Sequence, residues 1–205
     1  MLIAVSGNIG AGKTTLVQRL STRLGYQAEY EAVHENPYLQ RFYEDMQRWS
    51  FPLQVYFLSH RFRQGLGLKN YQRVVIDRTI YEDAHIFARN LYDSGYMSET
   101  DYHTYLNLYE NMVPLVPQPS LMVYLKGSPG KLAERIAGRS KKGERVYEGN
   151  IPLAYLSDLN KRYESWIQNE YNHSPVIQLD VEKTDLNDEA SFEKLVETVQ
   201  SFKNA

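Results

Sequence analysis

The sequence predicts an α/β fold with three layers, in which a five-stranded parallel sheet lies between helices on both of its faces. Along the 205 residues, short runs rich in strand-forming residues alternate with longer amphipathic runs, which is the pattern of successive strand and helix units. Three of the short runs are continuously apolar, as strands buried on both faces of a parallel sheet should be. Several helical runs begin at a proline, which is tolerated in the first turn because its missing N–H has no partner there.

The predicted elements follow in chain order. The strands are residues 2–6, 28–32, 73–77, 121–125 and 176–180, of which the first, third and fourth are the continuous apolar runs. The helices are residues 12–24, 37–47, 52–68, 80–93, 99–112, 129–139, 152–170 and 189–202. Pro37, Pro129 and Pro152 fit the first turn of three of these helices. A basic segment with glycines at both ends begins at residue 138 and indicates a mobile loop.

Bulk composition limits the possible functions. With 42% hydrophobic and 23% charged residues, the chain can bury one core, so we expect a single domain over residues 1–205. A formal net charge of -2 gives no general attraction for polyanions, and nucleic acid is therefore not an expected partner. Cysteine is absent, which excludes disulfides, thiolate metal sites and thiol nucleophiles. The five histidines lack paired ligand spacing, so we expect no zinc site.

The apolar runs of the chain are short. No run reaches about 18 apolar residues, so the sequence predicts no transmembrane helix and no membrane partner. The apolar start, residues 1–7, is too short and too uncharged for a signal peptide, and it is interpreted as the first strand. We therefore expect a cytoplasmic protein.

A glycine-rich loop follows the first strand and opens the first helix. It satisfies the pattern G-x-x-x-x-G-K-[ST], whose backbone N–H groups converge on phosphate at a helix N-terminus. Lys13 is then expected to reach the β- and γ-phosphates of ATP, and the Thr14 hydroxyl to bind the accompanying Mg²⁺. The predicted phosphate-binding residues are Gly7, Asn8, Ile9, Gly10, Ala11, Gly12, Lys13, Thr14 and Thr15.

Asp77 and Arg78 follow the third predicted strand, at the edge of the sheet where ligands bind in open α/β folds. A surface ion pair is the alternative interpretation, but the nearby phosphate loop favours a functional one. We expect Asp77, with Thr14, to hold the metal. The base-reading motif N-K-x-D of GTPases is absent, which argues against a GTPase switch.

Glu29 and Glu31 lie at or after the second predicted strand, and one of them should face the site. A nucleoside monophosphate acceptor would need a basic cradle and no general base, because its phosphate is already anionic. A hydroxyl acceptor must lose a proton as it attacks, and a carboxylate near an arginine suits that task. The sequence therefore favours a hydroxyl acceptor.

These residues resemble motifs of a known family, the deoxynucleoside kinases. Glu31-Ala32-Val33 resembles the family's Glu-Pro-Val, with alanine in place of proline, and Asp77-Arg78-Thr79 resembles its acidic-Arg-Ser motif. The resemblance covers the chain up to about Ile167 and implies a three-layer P-loop kinase fold with a mobile lid. It also implies ATP-dependent phosphorylation of a deoxynucleoside 5′-hydroxyl, with Glu31 as general base and Arg78 steadying both Glu31 and the developing charge.

The same resemblance implies the residues that bind the acceptor. By position, Tyr43 and Glu148 resemble ligands of the sugar 3′-hydroxyl, Gln54 a ligand of the base, and Phe87 a side chain that stacks near it. The lid over residues about 138–150 is expected to contribute Arg139 and Arg145, with Arg135 nearby, to the phosphates. A homodimer built on the helices around 52–68 and 80–93 is a further implication.

Arg61 and Asp83 resemble a pair that faces the base edge in the deoxyadenosine, deoxycytidine and deoxyguanosine kinase branch. The guanidinium can donate to a ring-nitrogen acceptor, and the carboxylate can accept from the exocyclic amine of adenine or cytosine, whereas thymine has no such amine. The expected substrates are therefore deoxyadenosine or deoxycytidine, then deoxyguanosine, with thymidine last. A buried structural ion pair is the alternative interpretation of these two residues.

Two other functions stay open from the sequence. One is a nucleoside monophosphate kinase of thymidylate-kinase type, which also carries an acidic-Arg pair after its third strand. The other is a nucleotide-binding regulatory protein without a small acceptor. Tyr43, Gln54 and Glu148 argue against both. The choice of base, the preferred triphosphate donor and feedback regulation do not follow from the sequence.

Overall fold

Five parallel strands form the sheet of the computed structural model, which describes residues 1–31, 36–68, 72–143 and 146–202. The strand order is β2-β3-β1-β4-β5. The strands are β1 (Leu2–Gly7), β2 (Gln27–Glu29), β3 (Val74–Asp77), β4 (Leu121–Lys126) and β5 (Val176–Asp180). All five predicted strands are confirmed, with ends that differ by up to three residues.

The register of β1 and β3 brings two loops of the predicted site together. Val5 is paired with Asp77 in parallel register, and the Arg78 N–H donates to the Val5 carbonyl over 2.9 Å. The glycine loop after β1 therefore stands beside the Asp77-Arg78 turn after β3, at the carboxyl edge of the sheet. Edge strand β2 pairs only with β3 in the described part of the chain and ends at Glu29, so Glu31 belongs to the loop beyond it.

Helices cover both faces of the sheet. They are α1 (Lys13–Leu24), α2 (Leu39–Glu44), α3 (Met46–Leu68), α4 (Ile80–Glu82), α5 (Arg89–Asp93), α6 (Glu99–Met112), α7 (Pro129–Lys141), α8 (Leu153–Asn169) and α9 (Glu189–Ser201). A π-helical segment, Asp83–Ala88, joins α4 to α5, and 3₁₀ turns span Val113–Leu115 and Val146–Asn150. None of the helices in the described ranges has the length and apolar composition needed to cross a bilayer.

Alternating side chains of β1 enter two cores. Ile3 and Val5 pack with residues of α1 and α9 on one face, whereas Leu2 and Ala4 belong to the larger cluster on the other face. Burial on both faces explains why this strand is apolar without alternation. The predicted three-layer α/β architecture is confirmed.

Helix α3 begins at Met46, six residues before its predicted start at residue 52, so Pro52 lies inside the helix. The earlier start follows from Asp45, whose Oδ1 accepts the Arg48 N–H over 3.0 Å as a helix cap does. The predicted helix 37–47 is correspondingly shorter and ends at Glu44, with Pro37 outside it. Pro129 does occupy the first turn of α7, whereas Pro152 caps α8.

The predicted lid, residues 138–150, does not form one loop. Its first four residues continue α7 to Lys141, because no residue before Lys142 breaks the helical pattern. The 3₁₀ turn Val146–Asn150 forms its end. Residues 144 and 145 lie outside the described ranges, as do Ala32, Val33, His34 and Glu35 of the Glu-x-Val region.

Candidate active site

A cavity opens at the carboxyl ends of β1 and β3, with the glycine loop on one side and helices α2 and α3 on the other. Apolar side chains of Leu39, Phe42, Leu53 and Phe57 contribute to its wall. Most of the residues predicted from the sequence also line it: Ile9, Gly10, Gly12, Lys13, Thr14, Thr15, Glu31, Tyr43, Gln54, Asp77, Arg78, Asp83, Phe87, Arg139 and Glu148. Gly7, Asn8, Ala11, Arg61 and Arg135 do not line it, and Arg145 lies outside the described residues.

The glycines of the loop permit a backbone that other residues would strain. Gly7 has a φ of 145° and Gly10 a φ of 83°, in the region that favours glycine. A Cβ on Gly7 would lie 2.7 Å from the Leu125 carbonyl oxygen, and one on Gly10 2.8 Å from that of Leu132. The loop thus packs directly against backbone and leads into α1 at Lys13, with the helix N-terminus facing the cavity.

Lys13 and Asn8 play different parts in this loop. The Lys13 ammonium donates to the Asn8 carbonyl over 3.0 Å, and burial, with help from nearby Arg78, lowers the pKa of Lys13 to about 8. A bound polyphosphate would raise the pKa of Lys13 again and favour the charged form further. The Asn8 side chain turns away and donates to the Leu156 carbonyl over 3.0 Å. Asn8 therefore ties the loop to α8, and only its backbone is available to a phosphate.

Thr14 and Asp77 form an oxygen-rich corner beneath the loop. The Thr14 hydroxyl donates to Asp77 Oδ2 over 2.6 Å. Asp77 Oδ1 is buried and has no hydrogen-bond partner in the described part of the chain. Within the same described ranges, no three His, Cys, Asp or Glu side chains converge as a metal cage would require. Mg²⁺ usually keeps water and substrate phosphate as ligands. A site that supplies two protein oxygens and leaves the other coordination positions of the ion open therefore fits Mg²⁺.

Arg78 is held in a strained conformation beside Glu31. Its φ of 74° makes it the one non-glycine residue with positive φ in the described ranges, and such strain concentrates at functional sites. Its Nε forms an ion pair with Glu31 Oε1 at 3.1 Å, and its guanidinium lies 4.3 Å from the centre of the Phe87 ring. Burial by itself would lower the pKa of Arg78, but the Glu31 carboxylate raises it above its ordinary value. Arg78 therefore stays a cation in a buried site.

Two residues that support Arg78 were not predicted. Tyr163 accepts a hydrogen bond from Arg78 over 3.2 Å and donates to Glu82 Oε1 over 2.9 Å. Glu82 also completes a capping box with Thr79 at the start of α4. The spacing T-x-x-E is a sequence signal for that box, so Glu82 could have been found. Tyr163 carries no such signal, because only the packing of α8 brings it to the site.

The acceptor side of the cavity carries aromatic and polar groups. Tyr43 is half-buried and stacks on Tyr147 at a ring distance of 6.3 Å, and burial raises the pKa of Tyr43 well above its ordinary value, so its hydroxyl stays protonated. Glu148 is buried and paired with Arg139 across the end of the predicted lid. Gln54 Oε1 is buried and has no hydrogen-bond partner among the described residues. Gln54 itself lines the cavity, so this acceptor lies at the cavity wall.

Asp83 and Arg61 are brought together by the π-helical segment and α3. Arg61 Nε donates to Asp83 Oδ2 over 3.1 Å. Burial raises the pKa of Asp83 to about 6, although the neighbouring Arg61 opposes this change. Asp83 lines the cavity, whereas Arg61 lies behind it. The predicted pair exists, and its carboxylate is the member that a ligand can reach.

A second cavity lies on the opposite side of the glycine loop. Arg135 stands in its wall, where it donates to the carbonyl oxygens of Ala11 over 3.3 Å and Val181 over 3.2 Å. Arg139 lines both cavities. Gly10, Gly12 and Thr15 of the loop also line both, so the two spaces meet at the loop and at Arg139, as direct transfer between two ligands requires.

Comparison with known proteins agrees with this geometry. The sequence model of the family described as deoxynucleoside kinase matches residues 3–204, well past the limit of about Ile167 set by the motifs. The chain is 42% identical over 204 residues to a deoxyadenosine/deoxycytidine kinase of Bacillus subtilis (strain 168), covering 98% of this chain and 92% of that protein. It is 40% identical over 178 residues to a deoxyadenosine kinase of Dictyostelium discoideum, covering 86% of this chain and 71% of that protein.

Solved structures are similar over the same length. A deoxyadenosine kinase from M. mycoides, with the products dCMP and a flexible dCDP bound, superposes with a TM-score of 0.86 at 35% identity, covering 98% of this chain and 100% of that one. The same enzyme with dATP bound gives a TM-score of 0.85 at 33% identity, with 98% and 100% covered. Since motifs, fold and near full-length similarity agree, the chain belongs to the deoxynucleoside kinase family and is an ATP-dependent deoxynucleoside kinase.

Proposed function

We propose that this kinase phosphorylates the 5′-hydroxyl of deoxyadenosine and deoxycytidine, with Glu31 as the general base. The observation that carries the proposal is that Glu31, paired with Arg78 at 3.1 Å, lines the same cavity as Lys13 and Thr14 of the phosphate loop. A carboxylate so held can receive a proton from an alcohol whose oxygen faces the terminal phosphate.

The proposed step is an in-line phosphoryl transfer. Glu31 takes the proton of the 5′-hydroxyl as its oxygen forms a bond to the γ-phosphorus of ATP. The bond between that phosphorus and the β,γ-bridging oxygen breaks, and ADP leaves. Lys13, Arg78 and Arg139 are placed to stabilise the charge that spreads over the transferred group, which is the main task of a protein in this chemistry.

Mg²⁺ is proposed to be held by the Thr14 hydroxyl and the Asp77 carboxylate. When bound, the ion neutralises charge on the β- and γ-phosphate oxygens. The Asp77 Oδ1 atom, buried without a partner in the described ranges, supports this assignment. Asp77 is 2.6 Å from Thr14, so one ion or its water shell can meet both side chains.

The proposed base preference rests on Asp83 and Gln54. Both offer acceptor oxygens to the cavity, and Gln54 Oε1 lacks a partner in the described part of the chain. The exocyclic amines of adenine and cytosine can donate to them, whereas thymine offers a carbonyl at the equivalent edge. The name of the B. subtilis relative, deoxyadenosine/deoxycytidine kinase, supports the same two substrates. Tyr43 and Glu148 are proposed to bind the sugar 3′-hydroxyl.

The test is ADP release with Mg·ATP against the four deoxynucleosides and their four monophosphates, followed by direct competition between deoxyadenosine and deoxycytidine. We expect turnover with these two nucleosides, weaker turnover with deoxyguanosine, and little with thymidine. Preference for thymidine would refute the assignment of Asp83 and Gln54. Turnover with monophosphates alone would refute Glu31 as the base for a hydroxyl acceptor.

A homodimer on α3 and the segment 80–93 is also proposed, on the family resemblance. Light scattering after size exclusion should give twice the 23.9 kDa of one chain. A mass of one chain at micromolar concentration would contradict the dimer without touching the catalytic assignment.

A further inference from the structure

The Arg61 guanidinium touches three parts of the site at once. Each of its nitrogens donates a hydrogen bond: Nη1 to the Asp77 carbonyl over 2.9 Å, Nε to Asp83 Oδ2 over 3.1 Å, and Nη2 to Glu31 Oε1 over 3.2 Å. The side chain is only 6% exposed. Burial by itself would lower the pKa of Arg61, but Asp83 and Glu31 raise it above its ordinary value. Arg61 is therefore a permanent, immobilised cation between two carboxylates.

Glu31 depends on such contacts for its orientation. It lies beyond the end of β2, in a segment without regular hydrogen bonding, so backbone structure does not fix its side chain. Arg61 and Arg78 both reach its Oε1 atom, at 3.2 Å and 3.1 Å. Arg78 is anchored independently by Tyr163 and by its strained backbone. Arg61 is anchored by the Asp77 carbonyl and by Asp83, so one of the contacts that orient Glu31 depends in part on Asp83.

A base in the cavity would lie against Asp83. Asp83 lines the cavity together with Gln54, whereas Arg61 stands behind it. A guanidinium is a rigid planar fork, so a change in the position of one bonded carboxylate moves the other bonds as well. Two hydrogen bonds thus connect Asp83 to Glu31 through the Arg61 guanidinium.

We propose that Arg61 is a positioning residue that couples recognition of the base at Asp83 to the orientation of Glu31; this rests on the proposed role of Glu31. A base with an exocyclic amine donates to Asp83 and holds it where Arg61 supports Glu31. A base without that amine does not fix Asp83, so Arg61, and through it Glu31, is held less firmly. The wrong base then slows the chemical step, and selection appears in kcat and not only in KM.

The experiment compares deoxyadenosine with purine 2′-deoxyriboside, which lacks the amine, in the wild type, Arg61→Gln and Arg61→Lys. In the wild type, removal of the amine should lower kcat about tenfold or more, because small misplacements of a reacting group have effects of that size. Arg61→Gln should lower kcat with deoxyadenosine by about 10- to 100-fold and abolish the kcat difference between the two nucleosides. Arg61→Lys keeps the charge but cannot bridge three partners, so it should behave in the same way.

Arg63→Gln is the matched control, because Arg63 is an exposed arginine two residues along the same helix. It should leave both kcat values and their ratio unchanged. Two results would overturn the coupling and leave the proposed function intact. One is equal kcat values for the two nucleosides in the wild type. The other is a kcat ratio that persists in the Arg61 variants while only KM changes. A wild-type enzyme that phosphorylates neither nucleoside would overturn the proposed function and the coupling together. The comparison of kcat between the two nucleosides in the wild type tests the coupling even if a variant does not fold.

Discussion

Glu31 is the residue on which the proposed chemistry depends, and its neighbour Glu29 shows why residue type alone does not identify a general base. Glu29 accepts hydrogen bonds from Gln27 and Gln64 at the edge of the sheet. Glu31, two residues later, faces Arg61 and Arg78 inside the cavity. The same side chain is thus a structural acceptor at one position and a candidate base at the other.

Replacement of Glu31 by glutamine should lower kcat by about 10²- to 10⁴-fold, because the amide keeps the shape but cannot accept the proton. ATP affinity, measured by calorimetry, should change little, since the phosphate loop is intact. Glu29→Gln is the matched control and should keep normal turnover. Full activity of Glu31→Gln would show that another group takes the proton.

Asp83 should make base recognition sensitive to pH. Burial raises the pKa of Asp83 from its ordinary 3.8 to about 6, so the carboxyl becomes protonated as the pH falls below about 6. A protonated carboxyl has lost part of its capacity to accept from an amine while it is bound to Arg61. We expect kcat/KM for deoxyadenosine to fall below about pH 6 relative to its value at pH 8.

The same carboxyl affects stability with a defined sign. Its raised pKa means that the folded state binds the proton more tightly than the unfolded chain, so this contribution to stability is lost as the pH rises from about 4 to 6.

Asp83→Asn is the control for the pH dependence of kcat/KM, because its side chain cannot ionise. If kcat/KM for deoxyadenosine falls below about pH 6 in that variant as well, the fall is due to another group.

The glycine loop and the first turn of α1 act as one element. Gly10→Ala should reduce the free energy of unfolding by about 1–3 kcal/mol and weaken ATP binding, because alanine is strained at a φ of 83°. Its Cβ would also lie 2.8 Å from a carbonyl oxygen of α7, and that backbone cannot move easily. Urea unfolding and calorimetry measure the two effects.

Gly130→Ala provides the comparison within α7. No heavy atom lies within 4 Å of a Cβ at that position in the described part of the chain, and the residue is helical. The variant should be neutral or more stable by up to about 1 kcal/mol, because alanine restricts the unfolded chain. Equal losses in the free energy of unfolding for Gly10→Ala and Gly130→Ala would mean that the loop conformation is not what makes Gly10 necessary.

The whole molecule is expected to unfold as one unit. The two core clusters share β1, whose side chains alternate between them, so neither core can open without exposing the other. The single-domain assignment to residues 1–205 therefore predicts one transition in urea. Fluorescence of Trp49 in α3 and Trp166 in α8, measured in variants with one tryptophan changed to phenylalanine, should coincide with far-UV circular dichroism. Separate midpoints would contradict a single domain.

Local patterns were sufficient to predict much of this protein. The strands, most helices and the phosphate loop follow from apolar runs, prolines and glycine spacing, since each depends on neighbours close in sequence. The motifs at 31 and 77–79 likewise indicated the family. The end of α2 and the start of α3 were predicted wrongly because Asp45 caps α3, and the proline signal at 52 does not compete with that cap.

Tertiary structure alone decided how the site is assembled. Glu31, Arg61, Tyr163 and the stretch that carries Arg78 and Asp83 are far apart in sequence, and only the strand order and the packing of α3 and α8 bring them within hydrogen-bonding distance. Sequence determined which chemical groups this kinase possesses, because composition and short-range spacing are properties of the chain itself. Folding determined which carboxylate meets which guanidinium, because that depends on contacts between residues distant in sequence, such as Arg78 and Tyr163, which are 85 positions apart.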